Sequence, residues 1–248
     1  MNTLSSPCRI LVFADSLAFH GPTGQERPSD PRLFPNICAA DLGPATAVDL
    51  VARPGYMARD GWWALTKDPV VWGEYLPRAD AVVLSLGHMD QLPAAVPTWL
   101  RESIPFIRPG KLRRAVRRGY QAFAPPVISL TGGRMVQLPP AAANHYLGRM
   151  VDAIRLLHPD LPVVRLLPAP WDSSYYPCDR PHAPALAAGR NWCVERNIPA
   201  VELDQLVRPG PNNPDGMHWG WHTHRRVGLA LAGVLREVMD VRKVGATR

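Results

Sequence analysis

Short apolar runs alternate with amphipathic stretches along the chain. Arg9–Asp15 (RILVFAD) is apolar at consecutive positions, not every second one, the pattern of a strand covered on both faces. Ala47–Ala52, Asp80–Leu86 and Pro162–Leu167 repeat it, and Pro199–Leu203 repeats it in weaker form. Helical periodicity lies between these runs. Phe34–Leu42 is a short example. His145–His158 is the clearest, with Leu147, Met150, Val151, Ile154 and Leu157 recurring at three and four. Ala183–Arg196 follows, and then Trp221–Val241, where Val227, Leu231, Val234, Leu235 and Val238 fall in register.

Strands that alternate with helices predict a parallel sheet with helices on both faces. Five strands in one run fit an α/β fold: a three-layer α/β/α sandwich of flavodoxin-like order. Sites in such sheets form at the carboxyl ends of the strands. Asp15-Ser16 follows the first strand, Arg53-Pro54-Gly55 the second, and Gly87-His88-Met89-Asp90 the third. The 248 residues are expected to make one domain, 1–248, with a basic insertion or lid around 92–140. Its centre, Arg101–Gln121, holds seven basic residues and one acid.

Composition narrows the classes. Apolar residues are 46% and charged residues 20%, which excludes a wholly disordered chain. No apolar run reaches about 18 residues, so no membrane span is expected. Ile10–Phe13 is too brief for the core of a signal peptide. Four scattered cysteines without a CxxC pair point to a reduced, cytoplasmic protein. The net charge is +7, and 25 of the 28 basic residues are arginine. The 28 prolines sit mostly between the periodic segments and predict long, stiffened loops.

Ser16 directly follows a buried strand, so it is placed at a site edge. A serine needs a base to act as a nucleophile. Asp215 stands three residues ahead of His218, just before the last helix. An aspartate at that spacing can accept the Nδ1 proton of the histidine and leave Nε2 free to take a serine proton. Taken singly, the serine reads more readily as a helix cap or turn residue and the DxxH as a surface turn.

Together with the glycine loops, the pattern resembles the SGNH (GDSL-like) hydrolase and acyltransferase family. That family has Gly-Asp-Ser early, a glycine after the second strand, Gly-x-Asn-Asp after the third, and Asp-x-x-His near the end. Asp15-Ser16 matches the first block, Gly55 the second, Gly87 and Asp90 the third, and Asp215/His218 the last. The resemblance spans nearly the whole chain. It implies Ser16 as nucleophile, His218 as base, Asp215 as its orienter, and the backbone N–H groups of Ser16 and Gly55 as oxyanion donors. Two positions depart from the family. Ala14 replaces the first glycine. Met89 replaces the asparagine, and a thioether donates no hydrogen bond. His88 substituting as the donor, a hole of two backbone donors, and Met89 lining an acyl pocket all remain open.

Other residues carry weaker signals. His218, His222 and His224 lack a completing carboxylate or cysteine, so no metal is expected. Trp219, Trp62 and Trp63 are candidates for stacking on sugar or walling an acyl groove, against ordinary packing. Arg113, Arg114, Arg117 and Arg118 could grip phosphates or a carboxylate from a lid. The alternatives for that segment are a solvated helix face and adsorption to an anionic membrane. No nucleic-acid motif accompanies the charge. The reaction expected is acyl transfer through an acyl-serine. The donor would be an acyl carrier of the CoA type, the acceptor an anionic glycoside, and no cofactor is required. An esterase or carbohydrate deacetylase of the same fold and a non-catalytic binding module are the alternatives.

Overall fold

The computed structural model describes residues 8–207 and 213–245. Strands β1 (Arg9–Ala14), β2 (Ala47–Ala52), β3 (Ala81–Ser85), β4 (Val163–Leu166) and β5 (Ala200–Val201) form one sheet in the order β2-β1-β3-β4-β5, and every pairing is parallel. Helices α1 (Phe34–Leu42), α2 (Ala58–Lys67), α3 (Thr98–Ser103), α4 (Gly110–Thr131), α5 (Pro140–Leu157), α6 (His182–Glu195), α7 (Asp204–Val207) and α8 (Trp221–Gly245) connect or flank them. This is the expected three-layer α/β/α arrangement.

The consecutive apolar run of β1 has a simple cause. Side chains alternate across a strand, and both faces here are covered. Leu11 and Phe13 join a core with Leu84, Leu65, Met150 and Ile154 under α2 and α5. Ile10, Val12 and Ala14 join the other core, with Val83, Phe34, Trp219 and Leu231 under α1 and α8. Each large aliphatic side chain so buried contributes about 1.5–3 kcal/mol.

The sheet order places the site. From β1 the chain moves outward to β2, then returns across β1 to β3. The strand order therefore reverses between β1 and β3, which opens a crevice at their carboxyl ends. Ser16 begins a short 3₁₀ turn, Ser16–Ala18, capped by the Asp15 side chain accepting from the Leu17 N–H at 2.9 Å. The segment around 92–140 holds α3 and α4 between β3 and α5. Helix α4 was hidden in the sequence by its charge run and by Pro125 and Pro126, which lie inside it. Helix α5 starts earlier than its periodicity indicates because Pro140 opens its first turn.

Candidate functional site

Residues from the two ends of the chain meet in the crevice. His218 Nε2 lies 2.9 Å from Ser16 Oγ, and His218 Nδ1 lies 2.6 Å from Asp215 Oδ2. With the carboxylate at Nδ1, the ring proton sits there and Nε2 accepts from the serine hydroxyl. Asp215 Oδ1 also accepts from the backbone N–H groups of Met217 and His218, at 2.9 and 3.0 Å. Burial alone would raise the Asp215 carboxyl. The His218 ring and these two N–H groups outweigh it and hold the carboxyl below its ordinary value. Burial pushes the His218 imidazole down. Asp215 opposes that shift and His20 adds to it. His218 is therefore a neutral base at pH 7.

The turn carrying Asp215 is fixed by Gly216. The Asp172 N–H donates to the Gly216 carbonyl at 2.8 Å. A Cβ on Gly216 would lie 1.7 Å from the Asp172 carbonyl oxygen, and its φ is +68°. Only glycine allows this approach.

One cavity borders the serine and a second adjoins it. A narrow slot is lined by Ser16 and His218 together with Leu17, Met89, Leu92, Ala169, Trp171 and Met217. A wider cavity of about 590 Å³ shares Trp171 and Met217 with it and is lined by Asp172, Ser173, Tyr176, Asp179 and Asn213. The slot is largely apolar and the wider cavity largely polar.

The comparisons with known proteins fit this geometry. The chain is 40% identical over 239 residues to the diglucosylglycerate octanoyltransferase of Mycobacterium tuberculosis (strain ATCC 25618 / H37Rv), covering 92% of this chain and 94% of that one. The chain belongs to the diglucosylglycerate octanoyltransferase family. The enzyme of that name from Mycolicibacterium hassiacum is 39% identical over 236 residues, covering 92% and 95%. A lipase/acylhydrolase from Enterococcus faecalis superposes with a TM-score of 0.62 at 16% identity, over 94% of this chain and 96% of that one, which shows the shared SGNH-type fold. No protein-family model matches the chain.

Within this octanoyltransferase family member, the third-block loop has three separate jobs. His88 is buried, and its Nδ1 accepts from the Ala169 N–H at 3.0 Å while its Nε2–H faces Ser85 Oγ at 3.2 Å. Burial, with Arg165 and His182 nearby, lowers it to about 3. Both nitrogens are committed, so His88 does not replace the missing asparagine as a donor. Met89 lines the slot. Asp90 accepts from the Ala58 N–H at 3.1 and 3.2 Å, tying the loop to the start of α2. Gly87 sits at the head of the loop with φ +107°. Gly55 lies in the turn after β2 with φ +74° and open space where a Cβ would stand. Its glycine is required by backbone conformation more than by a close neighbour, and it is not among the residues lining the slot.

The tryptophan expectations need correction. Trp219 is 0% exposed and packs against Phe34, His88 and His224, so it offers no face to a sugar. Adjacency to His218 in the sequence misled, because the next residue along the loop turns into the core. Trp62 packs on the core under Arg149, and Trp63 lines a separate cavity under Arg59 and Lys67. Trp171 is the tryptophan on the slot. Arg113 bonds the Pro105 carbonyl at 3.1 Å, and Arg114, Arg117 and Arg118 are exposed along α4; none lines either cavity beside Ser16. His224 is fully buried: its Nδ1 accepts from the Phe34 N–H and its Nε2–H donates to the His20 carbonyl.

Three positioning residues escaped the sequence reading. The His20 ring stacks on His218 with centroids 3.6 Å apart. Gln91 donates to the Ala169 carbonyl at 2.6 Å and meets His182, whose other nitrogen meets Asp204. Arg165, 2% exposed, donates to Asn144 Oδ1 at 3.0 Å and lies over the Trp192 ring. No motif announces such residues, because tertiary packing brings them in.

Proposed function

We propose that the protein moves an octanoyl group from octanoyl-CoA, or a similar acyl carrier, to a glucosyl hydroxyl of diglucosylglycerate through an acyl-Ser16 intermediate. The observation that carries this reading is the 2.9 Å contact of Ser16 Oγ with His218 Nε2, backed by Asp215 on the far side of the ring. Membership of the octanoyltransferase family supplies the substrate class.

In this reading Ser16 Oγ attacks the thioester carbonyl and its proton passes to His218 Nε2. Asp215 stabilises the imidazolium that forms. By the family pattern, the Ser16 backbone N–H at the slot and the Gly55 N–H, which lies outside the slot lining, would hold the oxyanion, where each donor typically contributes ~3–4 kcal/mol. The C–S bond breaks and the thiolate leaves with the proton from His218. A glucosyl hydroxyl then gives its proton to His218 as it attacks the acyl-Ser16 carbonyl, and the bond to Ser16 Oγ breaks as His218 returns that proton to the serine oxygen. Met89, Leu92 and Leu17 along the slot suit the octanoyl chain, which explains a thioether where the family carries asparagine. The polar cavity that shares Trp171 suits the glucosyl rings. The four cysteines are unbridged, in keeping with a reducing, cytoplasmic setting.

The test measures free octanoate and acylated glycoside in one reaction with octanoyl-CoA. Diglucosylglycerate is expected to speed thioester consumption and capture most of the acyl group, while glucose captures little. Free octanoate dominating with every anionic glycoside would replace this reading with that of an esterase.

A further inference from the structure

Helix α4 presents three distinct rows to its surroundings. At 3.6 residues per turn, Val116, Tyr120, Ala124 and Ile128 fall on the side that packs. A second row, Leu112, Ala115, Gly119, Phe123 and Leu130, recurs at three, four and seven and faces solvent. Lys111, Arg114 and Arg118 form a third row beside it, also exposed. Leu130 is 88% exposed, and the preceding segment adds Trp99 at 70% and Phe106 at 80%. So much apolar surface along one stretch of the chain marks an interaction face.

Charge selects the occupant. Glu102, the one acid in Arg101–Gln121, is held by Arg59 at 2.5 Å. Among the described residues, no carboxylate lies within ion-pair distance of Lys111, Arg114, Arg117 or Arg118. A second copy meeting this face through its own would bring like charges together. None of the cavities described above is lined by α3 or α4. An apolar row bordered by cations on a helix suits a compliant, anionic surface.

We propose that α3 and α4 dock the protein on an anionic lipid bilayer, with Trp99, Phe106, Leu112, Phe123 and Leu130 entering the headgroup boundary and Lys111, Arg114 and Arg118 on lipid phosphates. The inference does not depend on the role given to Ser16.

The experiment is sedimentation of the full-length protein with vesicles of phosphatidylcholine alone and of phosphatidylcholine mixed equally with phosphatidylglycerol. Wild type is expected to pellet with the mixed vesicles at least tenfold more strongly than with the neutral ones, and less as salt rises. Each basic side chain engaged adds about fivefold. Reversal of Lys111, Arg114 and Arg118 to Glu should abolish pelleting, and Leu112→Ser with Leu130→Ser should weaken it severalfold. These positions are exposed, so thermal midpoints should be preserved. The emission of Trp99, isolated by difference from Trp99→Phe, should shift to the blue on binding. No pelleting, equal pelleting with both vesicles, or binding that survives charge reversal overturns the proposal. So does a dimer in solution that Leu112→Ser and Leu130→Ser convert to monomer, which would make the row a self-interface.

Discussion

At the scale of single residues, the base is tuned by a neighbour that no motif contains. His20 stacks on His218, and its charge lowers the His218 imidazole together with burial. The base must be neutral to act, so a lowered value keeps activity at lower pH. His20→Phe keeps a ring in contact and removes the charge. The acid limb of the pH–rate profile is expected to move up toward the ordinary histidine value near 6.5; an unmoved limb would deny His20 this role. Asp15 gives a second test. Burial, and Asp90 nearby, raise its carboxyl to about 7, and its Oδ2 has no hydrogen-bond partner among the described residues. Between about pH 4 and 7 the native state keeps a proton that the unfolded chain has released, so stability falls as pH rises through that window. Asp15→Asn is expected to raise the melting temperature at pH 8 and change it little at pH 4.5. A gain of the same size at both would refute this cause. Ser16, Asp215 and His218 were legible because each sits at a fixed offset from a strand or helix boundary. His20 and Trp219 were not, because which way a loop side chain turns depends on what packs over it.

Among the elements, the strands were readable and the connections less so. Consecutive apolar residues in β1 and β3 report burial on both faces, which few other arrangements produce. Helix α4 was legible only as a solvated helix face among other readings of a basic segment, since its apolar residues divide between a packed row and an exposed one. The turn that carries Asp215 depends on the one after β4, through the contact of Gly216 with Asp172. Gly216→Ala must push these segments apart. A displacement of about 1 Å at reacting atoms can cost 10²-fold in rate. Turnover is therefore expected to drop by about that much with the far-UV circular dichroism unchanged. Near-normal turnover would show that this turn tolerates movement. Asp90→Ala removes the acceptor for the Ala58 N–H and should cost ~1 kcal/mol in stability, by analogy with the loss of a helix cap. A stability equal to wild type would show that the α2 start is held by other groups.

For the whole molecule, the sheet order is what makes a site from distant parts. Ser16 and His218 are 202 residues apart in sequence and meet because the strand order reverses between β1 and β3. The sequence pattern carried the number of strands and their parallel sense, and so the end of the sheet at which to look. It carried less about what surrounds the serine, since the slot and the polar cavity are built by loops whose shape depends on tertiary contacts such as Gln91 with Ala169. The central claim is that Ser16 carries the acyl group in transit. The most direct measurement is intact-protein mass after mixing with octanoyl-CoA, with the modified peptide mapped. One octanoyl group is expected on Ser16, discharged on adding diglucosylglycerate, with no adduct in Ser16→Ala. An adduct on another residue, or acyl transfer that persists in Ser16→Ala, would contradict it.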